Sequence, residues 1–173
     1  MGKIKAVLIS EKVSSNDSFA HDLFSSRRFG EKSVEKIFYS LFEAYYLVKT
    51  RKMEIFNFRN LVLSESEVLK KFSRLDKKFK IKYLVFKDLR DKGYIVKTAL
   101  KFGAEFRVYE KGNKVGLSHS RWICFPVSES GVMTWHDFSS KNRVAHSTKK
   151  NLLIAVVDDE NSVSYYEVGW LRV

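Results

Sequence analysis

The sequence predicts an α+β chain of two small domains: a helix-and-sheet module over residues 1–80 and a mixed-sheet domain over residues 81–173. Three observations carry that expectation. Up to about residue 92 the longest patterned segments repeat apolar side chains at three- and four-residue steps, the period of a helix. Beyond Gly93 the period changes to two, in segments rich in β-branched and aromatic residues. A charged run from Arg74 to Lys80 marks the joint between the two domains by its composition. The 173 residues allow one domain or two small ones, and 45% hydrophobic residues with a single proline exclude a disordered or collagen-like chain.

Taken in order, residues 4–9 read as a short buried strand, and the Ser/Asn/Asp-rich stretch 14–18 as a turn. A helix is expected next, capped by Ser33, with Val34, Ile37, Phe38, Leu41, Tyr45 and Val48 along one face and Lys49, Arg51 and Lys52 at its negative end. Residues 54–58 suggest a strand. Ser64 and Glu67 have capping-box spacing ahead of a short helix that turns Val68, Leu69 and Phe72 inward. A second long helix over 80–92 carries the stripe Ile81, Leu84, Val85 and Leu89 and stops at Gly93. Strands are expected at 94–96, 106–109, 122–127, 152–157 and 163–168, with turns at Gly112-Asn113 and at 158–161. Thr134 with Asp137 signals a helix start between the third and fourth of these strands.

The formal net charge of +12 favours a polyanionic partner, because basic residues release the counterions condensed on nucleic acid; a merely solvated basic surface is the alternative. The lone Cys124 lies in an apolar run and reads as a buried structural thiol. The apolar stretch 6–9 is short for a secretory leader, Ala6 breaks the myristoylation pattern, and no segment has the length of a membrane span. The expected location is the cytoplasm.

Several chemistries drop out. There is no His-Glu-x-x-His and no paired Cys-x-x-Cys, and His21, His119, His136 and His146 lack partners at ligand spacing. Neither the phosphate-binding glycine-lysine loop nor Gly-x-Ser-x-Gly occurs. What remains is the loop 109–119, bounded by the phenol of Tyr109 and the imidazole of His119, and a basic segment from Arg143 to Lys150 that runs into an apolar strand. Taken singly, Tyr109 fits a half-buried strand aromatic, His119 a loop histidine and Lys150 a surface charge.

Residues 83–94 (YLVFKDLRDKGY) and 102–109 (FGAEFRVY), followed by His119-Ser120, Arg143-Val144-Ala145-His146-Ser147, Lys150 and 155–158 (AVVD), resemble the catalytic domain of archaeal tRNA-splicing endonucleases. Residues 41–48 (LFEAYYLV) with Arg51-Lys52 are similar, more weakly, to that family's N-terminal domain. The resemblance implies a restriction-endonuclease-like C-terminal domain that cuts precursor tRNA at bulge-helix-bulge intron junctions without metal or other cofactor. The expected products carry a 2′,3′-cyclic phosphate and a 5′-hydroxyl, the outcome of internal attack by the ribose 2′-oxygen.

By the same resemblance Tyr109 is the base, a role nearby cations assist, His119 the acid for the leaving 5′-oxygen, and Lys150 the charge that meets the phosphate in the transition state. Arg143 matches an arginine that stacks on an extruded bulge base, and Trp170 stands where many relatives carry a basic residue; a buried core Trp is the competing account. Asp158, Asp159 and Glu160 match an acidic loop that enters a neighbouring subunit, although their composition by itself favours a plain β-turn. A homotetramer is the implied assembly. Two rivals remain, a non-enzymatic RNA-binding protein and a metal-dependent DNA nuclease, the latter needing a carboxylate cluster that the sequence does not display.

Overall fold

A computed structural model describes residues 2–112 and 119–171 and divides the chain into two compact units, Met1–Lys80 and Ile81–Val173. The architecture is α+β. Among the described residues no helix is long and apolar enough to cross a membrane.

In the first unit β1 (Ile4–Ile9) alternates buried and exposed residues, so only Ile4, Ala6 and Leu8 enter the core. It pairs antiparallel with β2 (Lys12–Ser15), and α1 (Ser18–Arg27) follows, capped by the Asp17 carboxylate accepting from the Phe19 amide. The turn expected at 14–18 is therefore a strand end and a helix cap. This helix escaped the periodicity test because Ala20 is its one buried residue.

The helix expected from Ser33 is corrected in its first half. Residues 31–39 form a hairpin, β3 (Glu31–Ser33) and β4 (Lys36–Tyr39), with Val34 at its tip at φ 52 and 88% exposed. Val34, Ile37 and Phe38 mimic a helical stripe, but the buried set in β4 is Ile37 and Tyr39, a period of two. The helix α2 (Leu41–Lys49) starts at Ser40, whose hydroxyl accepts from the Glu43 amide while the Glu43 carboxylate accepts from the Ser40 amide.

β5 (Met53–Phe56) then pairs parallel with β1, completing the sheet order β3-β4-β2-β1-β5. The box at Ser64 and Glu67 is present, and α3 (Glu65–Leu75) buries Val68 and Phe72 while Leu69 stays half-buried. Phe79 opens α4 (Phe79–Asp91) and closes this unit's core, stacking on Phe42 at 5.3 Å and meeting Phe72 edge-on at 5.6 Å.

Glu43 is only 3% exposed, and its carboxylate also accepts from the Gly30 amide at 2.9 Å, tying the start of the hairpin to α2. Glu43→Ala would strand these donors. Unfolding free energy is expected to fall by about 2–4 kcal/mol, since each buried unsatisfied group costs roughly 1–3 kcal/mol. Urea denaturation checks this; a loss below half the lower value would mean water replaces the carboxylate.

The second unit is a five-stranded sheet of order β10-β9-β8-β7-β6. After α4 the chain turns at Gly93, φ 91, into β6 (Ile95–Thr98), passes a 3-10 turn at Leu100–Phe102, and continues as β7 (Phe106–Tyr109), antiparallel to β6. β8 (Trp122–Ser128) pairs antiparallel with β7 and parallel with β9 (Asn151–Val157), and the parallel step is bridged by α5 (Trp135–Ser147). Thr134 and Asp137 complete a capping box at the start of α5. β10 (Val163–Val168) returns antiparallel to β9 through a turn with Asn161 at φ 65.

Strand alternation splits the core between the sheet's two faces. Phe106 meets Phe86 of α4 at 6.0 Å on one face. Ile123, Phe125 and Leu152 pack with Ala145 of α5 on the other. Cys124 is fully buried, and desolvation pushes its thiol far above the ordinary range, as befits an inert structural cysteine.

Candidate active site

Strand register brings several ends of the second sheet to one margin. β7 leaves at Tyr109, which pairs with Ile95, while Trp122 and Asn151, the first residues of β8 and β9, face each other. The ladder continues past the strands: the Arg121 amide donates to the Val108 carbonyl and the Asn151 amide to the Arg121 carbonyl, both at 3.0 Å. His119 stands two residues before Arg121, and Lys150 one before Asn151. Tyr109, His119 and Lys150 thus come to the same sheet margin from separate segments.

Their environments differ. Tyr109 is 5% exposed, whereas His119 is exposed. Among the described residues no hydrogen bond joins the three side chains, a common condition for catalytic groups without substrate. The turn expected at Gly112-Asn113 reaches the described residues only at Gly112, φ 77; Asn113 and the rest of 113–118 lie outside them.

Lys150 is held by the way α5 ends. The Lys150 amide donates to the Ala145 carbonyl and the Lys149 amide to the His146 carbonyl, both at 2.9 Å, a paired closure with Lys149 left-handed at φ 56. Glycine is the usual residue there, and lysine accepts a cost on the order of 1 kcal/mol. The Lys150 Nζ donates to the Thr148 carbonyl at 2.7 Å and lies 5.7 Å from the Phe102 ring centroid. Partial burial, and then the charge of Arg107, lower its pKa below the ordinary lysine value.

Arg107 and Lys97 were not singled out from sequence, yet they are register partners on the face that carries Tyr109. The signal was available in the alternation, since Arg107 is two residues from Tyr109. Together with Lys150 they gather cationic side chains toward one face of the margin. Among the described residues no three His, Cys, Asp or Glu side chains converge as a metal-ligand set.

Two family models cover nearly all of the chain. The tRNA intron endonuclease N-terminal domain matches residues 4–68, and the tRNA intron endonuclease catalytic C-terminal domain matches residues 79–165. The chain belongs to the tRNA intron endonuclease family. Its second unit carries that family's catalytic domain, so it is an enzyme of the endonuclease class. Similar proteins include the tRNA-splicing endonuclease of Pyrococcus abyssi, 41% identical over 92% of this chain and 91% of its own length. That of Thermococcus onnurineus is 42% identical over the same shares. That of Nanoarchaeum equitans is 45% identical over 76% of this chain and 88% of its own.

Within this tRNA intron endonuclease chain the remaining sequence candidates are placed as follows. Arg143 is exposed on α5. Trp170 is 56% exposed, which removes the buried-core account, and its ring lies 4.2 Å from that of His146 at 41°. His146, one turn after Arg143 and from sequence a structural or RNA-facing residue, is the ring partner of Trp170. Asp158 serves its own turn, its carboxylate accepting from the Ser162 amide at 2.8 Å. Asp159 and Glu160 are exposed, and the Asp159 amide donates to the Glu129 carboxylate at 2.9 Å.

Proposed function

We propose that this chain cuts precursor tRNA at bulge-helix-bulge intron junctions through internal attack by the ribose 2′-oxygen. The observation that carries the reading is the strand register, which gathers Tyr109, His119 and Lys150 at one margin of the family's catalytic domain. Tyr109 accepts the 2′-hydroxyl proton, His119 protonates the departing 5′-oxygen, and Lys150 meets charge building on the non-bridging oxygens. The phosphorus–5′-oxygen bond breaks as the 2′-oxygen bond forms, leaving a 2′,3′-cyclic phosphate and a 5′-hydroxyl. Lys150 supplies positive charge at the place where other nucleases use a metal. The +12 net charge supports a polyanionic substrate.

The test is cleavage of a bulge-helix-bulge RNA by the full chain in excess chelator, with analysis of the product ends. Cyclic-phosphate ends, and no cutting when the attacking nucleotide is 2′-deoxy, are the expected results. Activity only after a divalent cation is restored, or 5′-phosphate ends, would overturn the mechanism.

Arg143 and Trp170 hold an extruded bulge base, with His146 backing the indole. Trp170→Ala is expected to weaken binding of an uncleavable 2′-deoxy RNA about tenfold, as loss of one stacked base costs roughly 1–3 kcal/mol. Filter binding reads this, and an unchanged affinity would remove Trp170 from the clamp. Four copies form the working assembly, with Asp159 and Glu160 offered to a neighbouring basic cleft; sedimentation of wild type against Asp159→Lys tests that assembly.

A further inference from the structure

On the opposite face of the same sheet margin lies a pocket of roughly 270 Å³ that the chemistry above does not use. Leu89 of α4 with Val108 and Leu153 of the sheet supply apolar lining. Tyr94, Trp122 and Tyr165 bring three aromatic rings, with Tyr94 and Trp122 edge-to-face at 5.9 Å and 80°. Tyr165 is pinned by its hydroxyl, which donates to Asp88 at 2.7 Å. Lys92 and Glu167 complete the lining. Val108 immediately precedes Tyr109 in β7, and Trp122 follows His119 by three residues, so the pocket and the candidate active site occupy two faces of one edge.

Size and charge narrow what can enter. Small-molecule sites for larger ligands run to about 300–1,000 Å³, so this one suits a single planar ring. The Arg121 guanidinium lies 4.7 Å over the Trp122 ring and the Lys92 ammonium 5.0 Å over that of Tyr165. Both cations also meet carboxylates: Lys92 pairs with Asp88 at 2.6 Å, and Arg121 with Glu110. The neighbourhood is therefore balanced in charge and favours a flat, neutral, polar-edged ring over a phosphate. One oxygen of the Glu167 carboxylate, Oε1, accepts from the Asn151 side-chain Nδ2 and lies 3.6 Å from the Arg121 guanidinium, and the other oxygen has capacity to accept from a ring N–H.

We propose that this pocket is a nucleobase subsite, receiving by aromatic stacking a base of the RNA strand that crosses the margin, a few nucleotides from the cut. The proposal rests on the reading of that margin as the cleavage site. It is distinct from the Arg143–Trp170 surface, which lies at α5 and the chain's end, beyond β10.

The test uses an uncleavable bulge-helix-bulge RNA, 2′-deoxy at both cut nucleotides, so that affinity is read independently of cutting. One abasic nucleotide is moved through the three positions on each side of each cut, and Kd is measured with wild type, Trp122→Leu and Glu167→Gln. At one position wild type is expected to lose about tenfold in affinity, the typical worth of one base–aromatic stack, while Trp122→Leu loses little further. A 5-iodouridine at that position should cross-link to Tyr94, Trp122 or Tyr165. Glu167→Gln, which keeps the side chain's shape, should weaken the intact RNA but not the abasic one. Strictly additive effects at every position, with no cross-link to these residues, would overturn the subsite. So would full RNA affinity in Trp122→Leu joined to a changed oligomeric mass, which would assign the pocket to a second copy of the chain. Wild-type protein that binds in this pattern but does not cut a cleavable RNA would sink the catalytic reading and leave the subsite standing.

Discussion

His119→Ala is expected to slow single-turnover cleavage of a bulge-helix-bulge RNA about 10²–10⁴-fold, the usual worth of one positioned acid. Because His119 is exposed and lies before β8, its loss should leave RNA affinity and thermal unfolding close to wild type. The decisive readout is the leaving group. A substrate with sulfur in place of the departing 5′-oxygen expels a thiolate that needs no proton, so the variant should recover most of the lost rate on it. A rate equally depressed on both substrates would assign His119 to substrate positioning and remove it from proton transfer.

Lys150→Ala is expected to lower the cleavage rate about 10²–10³-fold, in line with removal of one preorganised group facing transition-state charge, with a smaller effect on binding. Stability should respond in the opposite sense. The folded state holds the Lys150 ammonium below its ordinary pKa of 10.5, mainly through burial and then through Arg107. Below the lowered value the amine is charged in both folded and unfolded chains, and the folded one carries the full penalty. Between the lowered value and 10.5 the unfolded chain binds more protons, so this group's contribution to stability rises with pH. Lys150→Met should therefore not lower the melting temperature at neutral pH, and any advantage over wild type should vanish by about pH 11. Lys150→Arg retains the charge and loses the compact ammonium, so it should regain part of the rate and keep it at alkaline pH. A Lys150→Met protein that cuts at the wild-type rate would exclude the electrostatic role.

Local patterning read the second unit nearly residue by residue. β7 and β10 fall on the expected 106–109 and 163–168, and the box at Thr134 begins α5 as its spacing requires, as the box at Ser64 does for α3 in the first unit. These features depend on neighbours a few residues apart, and their chemistry is complete within the segment. The first unit was less legible where two periods coincide. Val34, Ile37 and Phe38 satisfy a helical stripe, and pairing with β2 and β3 resolves them as a hairpin instead. Helix α1 offered almost no apolar signal because it lies against the sheet through Ala20 alone as a buried residue.

Of the candidate site, residue identities were readable from the chain: Tyr109, His119 and Lys150 all fall within the stretch that the family's catalytic-domain model matches. Their convergence, the lysine and arginine beside Tyr109, the His146–Trp170 contact and the aromatic pocket behind the margin were not. Each of those joins segments tens of residues apart through strand register, and a shift of one residue would have sent every side chain to the other face. Period and capping thus settle most of the elements, because those are local free energies written in adjacent residues, while the family is legible in the resemblance of its motifs. Which side chains share a face, a charge field or a cavity is decided by long-range pairing, and only the folded sheet carries that information.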